Sequence, residues 1–446
     1  MNPSSMRALL DHWEADNKLL RVKREVNPLY ELGAVLNARQ GRQPFYFEKV
    51  KGYSSPMVGG LGGDRALLAD SIGIAPDQFV PKIIDSIVSP IPTRLIGTGP
   101  VHDNVVLGPF DLDALFPIPT YHGDDSGAYY VSGILVVKDI SGKKRYTSIR
   151  RMQFLGENKT NVLITSPELL QQFHEYEERG EPMEVAVMFG VVPAVVLSSQ
   201  ISTHLYHADK LDVAGALIGK PLDVVQCKTV DLEVLAEAEI VLEGKMIPYE
   251  REMEGPFGEL AGFYGTRAPQ PVIEFSAVTY RNNAICQTIF PSSYEERLPM
   301  ALVREATLLS TVRQTVPNVK QVHITMGGVA RFHAVIQIEK RSEGDGKQAA
   351  IAAFASDKDL KHVIVVDEDV DIFDPEDVEW AMAVRVQADQ DIFIVPGAKG
   401  SPLEASHNVR GVTAKMGIDA TVPLAHKESF KRTSIPFGPI DLEDYL

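Results

Sequence analysis

The most constraining feature of this chain is a run of short apolar segments between residues 105 and 297. Strand-length stretches recur at 132–138, 146–154, 184–199, 238–243, 271–278 and 284–290, and Gly, Pro, Asp and Asn separate them. Repeated short strands with turn residues between them predict an antiparallel β domain, either a sandwich or a barrel. Helical periodicity interrupts it chiefly at 166–179 and 209–218. The flanking regions read differently. Residues 5–20 have the period of an amphipathic helix, with Ser5 as cap and Leu9, Leu10, Trp13 and Leu19 on one face. Residues 298–315 are again helical in period. Strand patterns at 321–325, 333–339, His362–Val366 and Ile392–Val395 then alternate with helical ones at 345–355 and 376–387. Asp374 caps the last helix and Pro375 opens it. Such alternation predicts an α/β layer with part of its sheet parallel. The chain therefore divides into an N-terminal α/β domain (1–104), a β domain (105–297), a linker helix (298–319) and a C-terminal α/β domain (320–446). A chain of 446 residues accommodates these units.

Charge narrows the partners. Forty-four Lys and Arg stand against 60 Asp and Glu, a net of −16, which repels nucleic acid and anionic membrane surfaces. No apolar run reaches transmembrane length, and the start has no basic-then-apolar leader. Only Cys227 and Cys286 are present, too few for a disulfide framework and suited to a reducing cytoplasm.

Several segments carry chemistry-bearing side chains. In Glu254-Gly-Pro-Phe-Gly-Glu259, two carboxylates bracket a turn that glycine keeps open to a ligand. Paired carboxylates in one pocket split their pKa values, and one then serves as a general acid; acidic residues flanking an exposed turn are the alternative. In Tyr146-Thr-Ser-Ile-Arg-Arg-Met-Gln153, strand alternation sends Ser148 and Arg150 to one face and Arg151 to the other. An inward Arg needs a carboxylate, such as Glu254 or Glu259, or an anion; an outward one makes a surface salt bridge. Lys415, in the Gly-rich stretch Gly397–Thr421, either reaches a phosphate or is an exposed loop lysine. His204, His207, Asp209 and Asp212 fall within nine residues, either a metal cluster or a polar helix start. The glycines at 59, 60, 62 and 63 read as a phosphate-cradling loop or as a plain turn before a helix near Asp64. The acidic stretch Asp367–Asp371 reads as a solvated loop.

Taken in order along the chain, these strings resemble the UbiD family of (de)carboxylases. The resemblance is carried by Arg151-Met-Gln153, Gly180-Glu-Pro-Met-Glu-Val-Ala-Val, Ala238-Glu-Ile-Val-Leu-Glu-Gly244, Glu254-Gly-Pro-Phe-Gly-Glu259 and Lys415-Met-Gly-Ile-Asp-Ala-Thr421. It implies an α/β plus β architecture, with an N-terminal α/β domain, a central flavin-reductase-like split β-barrel and a C-terminal α/β oligomerisation domain. It implies prenylated FMN as cofactor, provided by a flavin prenyltransferase, and reversible non-oxidative decarboxylation that releases CO₂ from an aromatic, heteroaromatic or α,β-unsaturated acid. Arg151, Glu254 and Glu259 are the implied catalytic residues. Thr147, Ser148, Ile149, Arg150, Arg151, Lys210 and Lys415 are the implied cofactor contacts.

The family's Mn²⁺ and K⁺ are in doubt for this sequence. Its Asn, His and Glu metal ligands align with Tyr146, with Ile164 or Thr165, and with Lys210; in a shifted register His207 or Asp209 serves instead. A lysine ammonium at 210 would stand where the metal charge stands. A homodimer or hexamer is expected, and no long C-terminal extension follows Pro436-Phe-Gly-Pro439. Arg297 and Arg304, two helical turns apart, either recognise a second substrate carboxylate, as in a furan- or benzene-dicarboxylate, or pair with Glu295, Glu296 and Glu305. The rival reading is a non-catalytic flavin-binding subunit of a larger carboxylase complex. An ordinary FMN-dependent reductase is a second rival.

Overall fold

The computed structural model describes residues 3–202, 208–436, 438 and 445–446. At its centre a sheet closes on itself. The strands run Ile240–Glu254, Met183–Phe189, Tyr129–Lys138, Arg145–Gly156, Lys159–Val162 and Ala268–Tyr280, and the last pairs back onto the first. Every pairing in this ring is antiparallel. The Asn104–Leu107 strand adds to the outside of the Ala268 strand. Alternation along the strands sorts the side chains into two cores. Leu135, Val137, Val185, Val187, Leu242 and Phe275 fill one. Ile134, Val136, Ala186, Met188 and Val241 face the other, which they share with the helices Phe79–Val88, Pro193–Ser199, Lys210–Ile218 and Tyr294–Thr315.

Two of the expected strands turn out differently. The 184–199 run ends as a strand at Phe189. A helix then begins with Pro193 at its first position and continues to Ser199. Every residue of that helix is buried, so it has no polar face and no 3.6-residue period to read. The 284–290 segment does not join the barrel. Its Cys286–Gln287 strand pairs parallel with Met57–Gly59, and this adds it to the N-terminal sheet with Leu20–Val22 and Phe45–Phe47.

Both predicted caps are formed, Ser5 accepting from Ala8 N–H and Asp374 from Glu376 N–H. Asp64 and Asp209 also cap, accepting from Ala66 and Leu67 and from Leu211. The first helix ends at Ala15, earlier than its apolar period suggests, yet Leu19 still packs in the same cluster. The Gly-rich turn before Asp64 binds an anion, but the anion belongs to the chain. Glu295 accepts from Leu61 N–H at 2.8 Å and from Phe290 N–H at 3.2 Å. A Cβ on Gly60 (φ +84°) would lie 2.0 Å from the Gln43 carbonyl oxygen, so the turn needs glycine there. Burial lifts the Glu295 carboxyl to about 7, against the opposing pull of the amides of Gly60, Phe290, Leu61 and Gly62.

The linker helix, Tyr294–Thr315, starts earlier than its period suggests because Ser293 caps it. The C-terminal sheet has the strand order Val319–Ile324, His333–Ile338, His362–Asp367, Val412–Ala420, Ile392–Lys399. Its two inner pairings are parallel and its two outer ones antiparallel. The acidic loop after Asp367 is not wholly solvated, because Asp367 and Asp369 both receive the buried Arg385.

Candidate active site

The Arg145–Gly156 strand divides two charged regions. On one face Arg151 lies between the two glutamates of the Gly-Pro turn. Its Nε donates to Glu254 Oε1 at 3.0 Å and its Nη2 to Glu254 Oε2 at 3.2 Å, a two-point pair. Its Nη1 donates to Glu259 Oε1 at 2.7 Å. The guanidinium stacks 4.6 Å from the Phe257 ring centroid, and Glu254 is only 2% exposed. Burial works against the Arg151 charge, but the two carboxylates outweigh it and hold its pKa above the ordinary value. A guanidinium has five N–H groups and three are used here, which leaves one on each terminal nitrogen. That matches the two acceptors of an incoming carboxylate.

The turn that carries Glu254 and Glu259 is held from several sides. Gly255 N–H donates to Tyr129 Oη at 3.2 Å and to Gln153 Oε1 at 3.3 Å. Gly258 N–H donates to Asp125 Oδ1 at 2.8 Å. Glu259 N–H donates to the Phe263 carbonyl and Gly265 N–H to that of Phe257. Gly265 has no side chain for a spatial reason, since a Cβ there would meet Glu259 Oε1 at 2.5 Å. Asp125 and Tyr129 are the supports that sequence reasoning missed. Neither sits near the Gly-Pro turn in sequence, and only the barrel closure brings them to it.

On the opposite face Arg150 has no carboxylate among the described residues. Its Nε donates to Ser148 Oγ at 3.1 Å and its Nη1 to Thr165 Oγ1 at 3.4 Å. Burial lowers its pKa to about 10. Lys210, at the start of the Lys210–Ile218 helix, is 8% exposed and donates to the Ser199 carbonyl at 2.8 Å. Burial, then repulsion from Arg150, lowers its pKa to about 7. The neighbouring Asp209 is engaged elsewhere, with Oδ2 taking Arg145 Nε at 2.9 Å and Oδ1 capping the helix. On the other side of the strand the buried Thr147 hydroxyl has no partner and Ile149 packs against the core. Arg150 and Lys210 form a site short of an anion.

The positions aligned with family metal ligands carry no imidazole or carboxylate. Tyr146 is a phenol beside Lys144, and Thr165 holds Arg150. His204 and His207 lie outside the described residues. The grouping of metal-type donors found among the described residues, His12, Asp16 and Asp70, is in the N-terminal domain and is already bridged by Lys18.

Three expectations about the C-terminal half need correction. Lys415 is neither a flexible loop cation nor an exposed one. It lies on the Val412–Ala420 strand, between two neighbours, and is buried. Its ammonium donates to the Lys358 carbonyl at 2.9 Å and also to that of Leu360. Arg304 does not present a free fork and does not pair with the nearby glutamates. It binds Asp357 and, at 2.9 Å, Asp359, which also takes Arg331 at 2.7 Å. Arg297 is used structurally as well, with Nη2 donating to the Leu260 carbonyl at 2.7 Å and to Ser292 Oγ at 3.2 Å. It thereby braces the residue after Glu259.

Family models for the 3-octaprenyl-4-hydroxybenzoate carboxy-lyase match the chain in three parts. The N-terminal domain covers residues 10–87, the Rift-related domain 94–294 and the C-terminal domain 298–420. The UbiD-class enzyme HmfF from Pelotomaculum thermopropionicum, solved with FMN, is 46% identical, with a TM-score of 0.96 over 99% of this chain and 100% of that one. The anhydromevalonate phosphate decarboxylase of Methanothermobacter thermautotrophicus is 36% identical over 96% of this chain and 99% of its own length. The gallate decarboxylase of Lactiplantibacillus plantarum is 31% identical over 100% and 99%. With all three domains matched in order and the Arg151–Glu254–Glu259 network assembled, the chain belongs to the UbiD family of carboxy-lyases.

Proposed function

We propose that this chain catalyses the reversible non-oxidative decarboxylation of an aromatic, heteroaromatic or α,β-unsaturated carboxylic acid, with prenylated FMN as cofactor. The observation that carries the reading is Arg151, fixed by two glutamates and left with two N–H groups for a substrate carboxylate. Two solved structures of HmfF hold FMN and prenylated FMN. The cationic face at Arg150 and Lys210 fits a flavin phosphate, with Ser148 on the same side of the strand and Thr147 and Ile149 on the other. Bound prenylated flavin supplies an electron sink for the charge left when CO₂ departs. Arg151 orients the carboxylate and holds Glu254 through the two-point pair. Glu259 has Oε1 on Arg151, so its Oε2 is the atom that delivers a proton to the substrate carbon.

A flavin-binding subunit without turnover has no use for a proton-delivering carboxyl, and a plain FMN reductase has no use for the paired glutamates. Relatives named for gallate and phenolic acids favour an aromatic acid. The site gives no support to a second carboxylate, because Arg304 already holds two aspartates. A homo-oligomer is supported by the unpaired outer edge of the Ile392–Lys399 strand, where Ile394 is 64% exposed, and by a dimeric form of HmfF. The two unpaired, buried cysteines suit the cytoplasm. Co-production with a flavin prenyltransferase, followed by CO₂ release on a panel of acids, tests the reading. The Glu259→Gln variant should bind flavin normally and lose H/D exchange at the product carbon. Exchange at the wild-type rate in that variant removes Glu259 from the reaction.

A further inference from the structure

Most buried cations in this protein sit against acids. Arg7 takes Glu239, Arg145 takes Asp209, Arg304 takes Asp357 and Asp359, and Arg385 takes Asp369. Lys415 departs from that rule alone, with its ammonium on two backbone carbonyls, and Arg150 and Lys210 depart from it together, where the start of the Lys210–Ile218 helix meets the Arg150 strand. Neither has a carboxylate within ion-pair distance among the described residues. Their polar contacts are the neutral oxygens of Ser148, Thr165 and the Ser199 carbonyl. Placing two unpaired cations in a poorly solvated site is costly, and the cost falls when a dianion enters.

Resting on the flavin reading above, we propose that Arg150 and Lys210 form a phosphate clamp that neutralises the flavin phosphate with protein charge alone, so that tight binding needs no divalent cation. Two fixed positive charges match a dianionic phosphate, and a guanidinium and an ammonium give it a planar fork and a point charge. A metal bridge would need oxygen or imidazole donors, and Tyr146, Thr165 and Lys210 offer a phenol, a hydroxyl and a cation that repels the metal. The groups facing Lys210 are Arg150, which repels it, and Glu168 and Asp209, which attract it more weakly.

The probe is FMN, with riboflavin as the phosphate-free control. Binding to the wild-type chain is measured by calorimetry at pH 8, with EDTA or with added Mn²⁺. FMN should bind equally in EDTA and in Mn²⁺, and more tightly than riboflavin in both. Lys210→Met should weaken FMN roughly 10- to 100-fold and leave riboflavin unchanged. Lys210→Arg should restore the FMN affinity, since it keeps the charge. Circular dichroism and riboflavin affinity report that the variants fold. Binding that collapses in EDTA, or Lys210→Met binding as wild type does, overturns the clamp and leaves the carboxy-lyase reading standing. No flavin binding under any condition overturns both.

Discussion

Replacing Arg151 by Met tests how the two glutamates are kept together. Methionine retains an apolar stem over Phe257 and removes the charge together with its N–H donors. Three charge-assisted contacts of 2.7–3.2 Å disappear, and Glu254, 2% exposed, is left with no countercharge. Removing one partner of a buried pair costs about 3–5 kcal/mol. The variant limits the loss by protonating a glutamate. A carboxyl whose folded pKa lies above its unfolded value of about 4.3 costs about 1.4 kcal/mol for each pH unit above that value, until the folded pKa is reached. That cost is about 1 kcal/mol at pH 5 and rises to the full 3–5 kcal/mol near pH 8. The deficit against wild type should therefore grow as pH rises. Urea unfolding followed by far-ultraviolet circular dichroism at pH 5 and pH 8 measures it. Adding Glu254→Gln to the variant should recover part of the loss at pH 8, because a neutral amide needs no cation. Equal deficits at the two pH values, or a deficit below about 1 kcal/mol at pH 8, would refute the reasoning.

Two more substitutions separate positioning from charge. Gly265→Ala places a methyl 2.5 Å from Glu259 Oε1. It should lower CO₂ release about 10- to 100-fold with thermal stability nearly unchanged, read by comparing kcat with the melting temperature. Arg304→Ala strands Asp357 while Asp359 keeps Arg331 and Lys358. It should cost about 2–4 kcal/mol in urea unfolding and leave the ratio of kcat/KM for mono- and dicarboxylates unchanged; a selective loss of dicarboxylate turnover would show that Arg304 does contact substrate.

What the sequence made legible was mostly local. Ser5, Asp64, Asp209 and Asp374 each cap a helix two or three residues away, so the pattern that announces the cap also contains its partner. The barrel strands alternate because one face meets one core and the other face another, and a period of two survives that arrangement. The Pro193–Ser199 helix was illegible for the converse reason, being buried all round. Cys286–Gln287 was misplaced because a two-residue strand carries no record of which sheet it joins. Arg304 shows the same limit at the site. Its aspartates lie 53 and 55 residues away, and nearby glutamates looked like the natural partners. Glu305 instead turns to Arg65 and His323, and Glu295 to the backbone of the Gly-rich turn.

Adjacent arginines on one strand meet opposite fates, and the reason lies in the strand itself. A period of two puts Arg150 and Arg151 on opposite faces, so a single element can border a neutralised site and an electron-deficient one without mixing them. Arg151 is brought to its glutamates by the pairing of the barrel strands, across 103 and 108 residues of chain. Arg150 faces the start of the Lys210 helix, where one nearby acid, Asp209, is drawn off by Arg145 five residues earlier on the same strand. Arg145 thus keeps that acid from the pair of cations. In a chain of net charge −16, acids are abundant, and a cationic site persists only where each nearby acid is given another partner.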